Sequence, residues 1–157
     1  MYIINFFKKK VLIFSLIIFV FLLDRYSKTL VLKNFSENTF YINNFINLDL
    51  IWNSGIGFGI FSSNSPAIYN LISGLIFLVI IFLVYYLIKS DKTDKLIFSI
   101  IIGGAIGNFY DRLVYKAVPD FIDIHFANFH WFTFNVADIF ITLGVIIYLF
   151  KGSLIKK

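Results

Sequence analysis

Charged residues fall at wide intervals along this chain, and the apolar stretches between them predict four helices. Val11 to Leu32 opens after Lys8, Lys9 and Lys10 and closes at Lys33, with Asp24, Arg25 and Lys28 near its far end. Ala67 to Ile88 follows Pro66 and carries no ionisable group except the phenols of Tyr69, Tyr85 and Tyr86. Leu96 to Tyr110 is free of charge and continues past Asp111 and Arg112 to Val114, while Phe134 to Phe150 is interrupted only by Asp138. These lengths suit, or nearly suit, the ~20 residues that a helix needs to cross hydrocarbon about 30 Å thick.

Two polar segments separate the helices. In Asn34 to Ser65, Ile46, Leu48, Leu50 and Trp52 alternate with Asn47, Asp49, Ile51 and Asn53. That period of two predicts a half-buried strand after an Asn43-Asn44 turn, lying as a small sheet on the membrane surface. The second segment, Tyr115 to Thr133, holds Pro119, two aspartates and both histidines, and reads as a loop whose aromatics suit the membrane interface. No repeat relates the halves, and the expected organisation is a single membrane domain spanning residues 1–157.

Composition names the solvent. Of 157 residues, 59% are apolar and 15% charged, whereas a soluble domain needs about 25% charged residues to clothe its core. The fold class is therefore an all-α membrane protein of four transmembrane helices with a small β-sheet on the outer face. A net charge of +5 would suggest nucleic acid in a soluble protein; here its placement reads as topogenic, and no nucleic-acid partner is expected. Lys8 to Lys10, Lys89, Lys92, Lys95, Lys151, Lys156 and Lys157 fall on one side of a four-span chain. Both termini are thus expected in the cytoplasm. Every acidic residue except Asp91 and Asp94 falls on the outer half. The N-terminal Lys triplet and apolar run resemble a signal peptide in shape, but Asp24-Arg25-Tyr26-Ser27-Lys28 offers no small-x-small cleavage site, so an uncleaved span is expected. The absence of cysteine excludes disulfides, iron-sulfur clusters and a thiolate nucleophile.

Helix rise turns sequence distance into height. Asp24 lies 14 residues beyond Lys10, Asn108 and Asp111 lie 13 and 16 beyond Lys95, and Asp138 lies 13 before Lys151. All four reach roughly 20 to 24 Å up the slab, in one layer near the outer face. A lone charge in hydrocarbon costs at least about 2.5 kcal/mol, so such groups face each other or water and are candidates for function. Plainer readings stand beside that one. Asp24 and Lys28, spaced i, i+4, form a self-neutralising pair that snorkels outward, and Asp111-Arg112 forms an interfacial ion pair. Asp138 has no basic neighbour in sequence and needs a proton or a distant partner.

Ser99, Gly103 and Gly107 make a small-residue stripe whose first meaning is close helix packing, which would hold Asn108 and Asp111 against a neighbour. Gly55-Ile56-Gly57-Phe58-Gly59 lacks the βαβ surroundings of a nucleotide loop and reads as a tight turn. His125 and His130 are too few for a zinc site by spacing alone, and neither metal nor cofactor is expected. No Gly-x-Ser-x-Gly elbow supports serine hydrolysis.

Five ordered segments closely resemble the motifs of the lipoprotein signal peptidases, also called signal peptidase II. They are Asp24-Arg25-Tyr26-Ser27-Lys28, the Asn53 to Gly59 stretch, Gly103 to Arg112, Val118-Pro119-Asp120-Phe121-Ile122-Asp123, and Phe134-Asn135-Val136-Ala137-Asp138. Gly57 departs from the alanine common there. The resemblance implies an aspartic endopeptidase of the bacterial cytoplasmic membrane, acting as a monomer among membrane lipids, that cuts lipid-modified prolipoproteins before the diacylglyceryl cysteine. It implies Asp120 and Asp138 as the catalytic pair near the outer face. Asn53, Asn108, Arg112 and Asn135 would hold substrate backbone or carboxylates, Asp24 would shape the site, and Asp111 would support it. Two rival classes are a proton- or ion-translocating protein, whose acids usually lie at the midplane, and a non-catalytic assembly subunit, which leaves Asp138 without a purpose.

Overall fold

A computed structural model describes residues 2–35, 39–55 and 65–154. Within them the chain forms four helices and one four-stranded sheet: α1 (Tyr2–Asn34), β1 (Phe40–Asn43), β2 (Ile46–Asn53), α2 (Pro66–Lys89), α3 (Lys92–Tyr115), β3 (Val118–Phe126), β4 (Phe129–Phe134) and α4 (Val136–Leu154). Among the described residues, α2 and α3 are each long and apolar enough to cross a membrane. Helix α2 is apolar around its whole circumference and mostly exposed, the pattern of a helix solvated by lipid.

Helix α3 is the centre of the bundle, packing against α1, α2 and α4. Its glycines explain how. A Cβ on Gly103 would come within 2.8 Å of the Ile17 carbonyl oxygen and of Val20 Cβ, and one on Gly107 within 2.5 Å of Asp24 Oδ2. Both therefore face α1. Gly104 turns instead to α4, where a Cβ would meet the Ala137 carbonyl oxygen at 2.7 Å. Ile97, Phe98, Ile101 and Ile102 form the buried apolar cluster beneath these contacts. At the far end of the bundle, Asp91 caps α3 by accepting from the Asp94 N–H at 2.9 Å, and Lys151 of α4 donates to Asp91 at 3.0 Å.

The helices differ from the expected intervals mainly at their ends. Helix α1 begins before the Lys8 to Lys10 triplet, because lysine is a good helix former and nothing there stops the helix. Helix α3 starts at Lys92 behind its Asp91 cap, four residues before the apolar run. Helix α4 starts at Val136, since Phe134 belongs to β4 and Asn135 precedes the first turn.

The sheet is antiparallel in the order β1-β2-β3-β4. Strand β2 lies where alternation placed it, but its burial inverts near the end: Trp52 is exposed and Asn53 is buried. An irregular step between Leu48 and Ile51 opposes two residues of β2, Asp49 and Leu50, to one of β3, Phe121, and one extra residue switches the inward face. The segment read as a loop is instead the hairpin β3-β4, closed at Ala127, whose φ is 51°. Pro119 has no N–H to give to a strand ladder. It is tolerated because β3 pairs only with β2 at that point, β4 joining from Ile122 onward.

Candidate active site

Strand β3 delivers Asp120 to the top of the helical bundle, and the first turn of α4 brings Asp138. Both line a cavity of about 640 Å³ together with Asn53, Asn108, Arg112 and Val118. Below this polar end the cavity continues as an apolar groove. Its walls are α2 (Ile76, Val79, Leu83) and α4 (Ile141, Val145), and its floor is α3.

The two carboxylates are held in matching ways. Asn53 Nδ2 donates to Asp120 Oδ2 at 2.8 Å, and Asn135 Nδ2 donates to Asp120 Oδ1 at 2.6 Å. Asn108 Nδ2 donates to Asp138 Oδ1 at 2.8 Å, and the Asn135 backbone N–H donates to Asp138 Oδ2 at 3.2 Å. Every one of these donors is an amide. Amides orient an oxygen without supplying the formal charge that would force a carboxyl to ionise. Burial and the neighbouring Asp138 accordingly push the Asp120 carboxyl up to about 7, against the opposing pull of the Asn53 and Asn135 hydrogen bonds.

Asn135 links the pair through the helix end. Its side-chain oxygen accepts from the Asp138 N–H at 3.1 Å while the Asp138 carboxylate accepts from the Asn135 N–H, a reciprocal capping box. The next free N–H of α4, that of Ala137, donates to Asp24 Oδ1 at 3.1 Å. Asp24 thus secures α4 from across the bundle, and its negative charge suits a helix N-terminus.

Asp24 is one member of a buried network. Lys28, only 1% exposed, spends its three ammonium protons on Asp24 Oδ2 (2.9 Å), Asp111 Oδ2 (2.8 Å) and Asn108 Oδ1 (2.7 Å). Arg25 adds a bond to Asp111 at 2.6 Å and lies with Cζ 5.0 Å from the Tyr110 ring centroid. Two acids meet two bases, so the cluster is neutral. The Lys28 contact has a consequence for Asn108: an amide whose oxygen faces an ammonium must present its NH₂ the other way, toward Asp138.

Several sequence expectations change here. The Asp24-Lys28 pair does not snorkel outward; it is buried because α3 supplies two further acceptors. Asp111 and Arg112 do not pair with each other. Asp111 faces α1, whereas Arg112 donates to the carbonyl oxygens of Ser54 and Gly55, and its own carbonyl accepts from the Tyr69 hydroxyl at 2.7 Å. Arg112 therefore anchors the end of β2. Asp120 comes from a strand rather than a loop. Lys28, Arg25 and Tyr69 were missed as site residues, though the i, i+4 spacing of Lys28 from Asp24 carried the signal. Asp123 stands apart, its Oδ2 2.7 Å from His130 Nδ1, and does not line the cavity. The expected turn at residues 55–59 lies outside the described residues beyond Gly55.

A family model described as signal peptidase (SPase) II matches residues 16–154. The chain is 54% identical over 133 residues to the lipoprotein signal peptidase of Pelagibacter ubique (strain HTCC1062), covering 83% of this chain and 80% of that protein. It is 36% identical to the lipoprotein signal peptidase of Francisella tularensis subsp. novicida (strain U112), over 98% of both chains. A bacterial membrane enzyme solved by the in meso method at 2.3 Å resolution superposes with a TM-score of 0.76 at 29% identity, covering 92% of this chain and 91% of its own. A match of this extent in family, sequence and fold has one consequence: the chain belongs to the signal peptidase II family.

Proposed function

We propose that Asp120 and Asp138 are the catalytic pair with which this aspartic endopeptidase removes signal peptides from prolipoproteins. The observation that carries the assignment is two carboxylates opening on one cavity, both held by amides and neither hydrogen-bonded to a cation among the described residues. Such a pair ionises in two steps, and between them it holds one proton. The ionised member takes a proton from water as the water oxygen attacks the scissile carbonyl carbon. The neutral member gives its proton to the carbonyl oxygen. When the tetrahedral species collapses, the departing amine takes a proton from the acid just formed, and one hydroxyl of the tetrahedral carbon returns its proton to the other carboxylate as the C–N bond breaks and the new carboxyl forms, restoring the starting pair. The translocating alternative is not favoured, since the family and the relatives are signal peptidases.

The groove suits a helical substrate. From Asp138 to Leu149 its α4 wall runs eleven residues, about 16 Å of helix, lined by apolar side chains that would contact a signal helix entering sideways from lipid. All four helices cross the membrane in this reading, with the termini and the turn at residues 90–91 on the cytoplasmic, positively charged side. The sheet then lies at the outer surface, its exposed Tyr41, Phe45, Phe126, Phe129 and Trp131 at the headgroup level. Cleavage occurs before a diacylglyceryl cysteine whose acyl chains stay in the bilayer. A single chain supplies every group, consistent with a monomer.

The test is cleavage of a diacylglyceryl-modified prolipoprotein by purified protein in detergent. The parent should cut it, and Asp120→Asn and Asp138→Asn should each lose at least about a thousandfold. Full activity in either variant removes that residue from the pair.

A further inference from the structure

The β3-β4 hairpin carries a second cluster of ligating groups, independent of the carboxylate pair. Asp123 and His125 project from the same side of β3, two residues apart, and His130 is the cross-strand partner of His125. Pairing across the hairpin makes neighbours of residues whose spacing in sequence hides them. One ligand atom from each of the three lies within 4.8 Å of the others. Asp123 Oδ2 is 2.7 Å from His130 Nδ1 and 3.4 Å from His125 Nδ1, and the two rings stack with centroids 5.3 Å apart.

A proton on His130 accounts for only part of this geometry. It satisfies the short contact to Asp123, yet His125 Nδ1 is buried 3.4 Å from the same oxygen and has no hydrogen-bond partner among the described residues. A cation among the three atoms satisfies them all. Ligand atoms about 2.0 to 2.1 Å from a tetrahedral zinc are separated by about 3.3 Å. The His125 to Asp123 distance already fits. The His130 contact must open by roughly 0.6 Å to reach that spacing, and its side chain, 58% exposed, has open space on its outer side.

We propose that Asp123, His125 and His130 form a binding site for a divalent transition metal, with zinc as the fitting ion and a water in the fourth position. Two imidazoles and one carboxylate are borderline ligands that suit zinc and disfavour magnesium or calcium. The metal ties β3 to β4 next to the stretch that carries Asp120 and acts as a clip on the hairpin rather than as a participant in proteolysis. The proposal does not rest on the assignment of the catalytic pair.

The experiment uses the full chain in detergent, stripped with chelator and titrated with zinc chloride, reading bound zinc per chain and the unfolding midpoint. One zinc per chain should bind with a micromolar or tighter dissociation constant and raise the midpoint. Asp123→Asn and His130→Ala should each weaken binding at least tenfold and abolish the rise. His130→Gln serves where the alanine variant does not fold. Cobalt(II) should give visible ligand-field bands in the parent and none in these variants. Asp120→Asn and Asp138→Asn should bind zinc as the parent does. Failure of the parent to bind, retention of full affinity by an Asp123 or His130 variant, or loss of binding in the Asp138 variant overturns the site.

Discussion

Asp120 has the most legible chemistry of any single residue here. Its carboxyl is pushed up to about 7 by burial first and by Asp138 second, against an ordinary value of 3.8. If one proton on the pair is the working state, raising the pH through this value removes it. The rate must then fall on the alkaline side, with a limb near pH 7 in a kcat/KM profile. Asn53 opposes the upward shift by donating to the charged form. Asn53→Ala should therefore move the limb to higher pH while lowering the maximum, and an unmoved limb would break the link between Asp120 and the profile. The same sign governs stability. A carboxyl whose folded value is raised penalises folding as pH rises from about 4 to 7, so Asp120→Asn should be inactive yet melt no lower, and at pH 8 higher, than the parent. Lys28 behaves oppositely. Its loss strands Asp24 and Asp111 with Arg25 alone and frees the Asn108 amide to turn. Lys28→Met should cost about 3 to 5 kcal/mol, read as a large drop in unfolding midpoint, because breaking a buried ion pair leaves charge uncompensated.

At the scale of elements, glycine contacts decide how closely α1, α3 and α4 meet. Gly107 faces an Asp24 oxygen that cannot retreat, since the carboxylate is held by Lys28 on one side and the α4 N-terminus on the other. Gly107→Ala should lower stability by about 1 to 3 kcal/mol and lower activity as well, because displacing Asp24 loosens the turn that bears Asp138. Gly74, with nothing within 4 Å of an added Cβ, supplies the contrast: Gly74→Ala should be neutral or stabilising by up to about 1 kcal/mol in a thermal unfolding series. The small-residue stripe was legible in sequence because its period is local. So were the four helices, whose apolar runs are interrupted at few points, and strand β2. The β3-β4 hairpin was not, because Pro119 speaks against a strand and pairing with β2 comes from a segment more than sixty residues away. The inverted burial of Asn53 and Trp52 was equally hidden, since an extra residue in a strand leaves no mark on a periodicity. Site residues on helices could be placed by counting rise. The partners of Lys28 and Arg112 could not, because α3 had to be rotated into register with α1 and β2 before their acceptors existed.

For the whole molecule, the arrangement of charge and the shape of the groove make one argument. The polar layer closes one end of the bundle, with the neutral Asp24, Arg25, Lys28 and Asp111 cluster behind α3 and the amide-held pair in front. The groove between α2 and α4 is left apolar, so a signal helix would lose no hydration on leaving lipid for it; selectivity would come from fit along its length. Obstruction should then impair binding without touching the carboxylates. Thr142 lines the groove one turn below Asp138 and is exposed, so a larger side chain fits without repacking the core. Thr142→Trp should raise KM for a prolipoprotein at least about tenfold, a loss of roughly 1.4 kcal/mol in binding, while kcat and the unfolding midpoint stay near the parent's. Leu143, adjacent in sequence, is exposed and absent from the groove lining, and Leu143→Trp should leave KM unchanged. If both variants behave alike, the substrate does not lie between α2 and α4, and the route to Asp120 and Asp138 must be sought on another face.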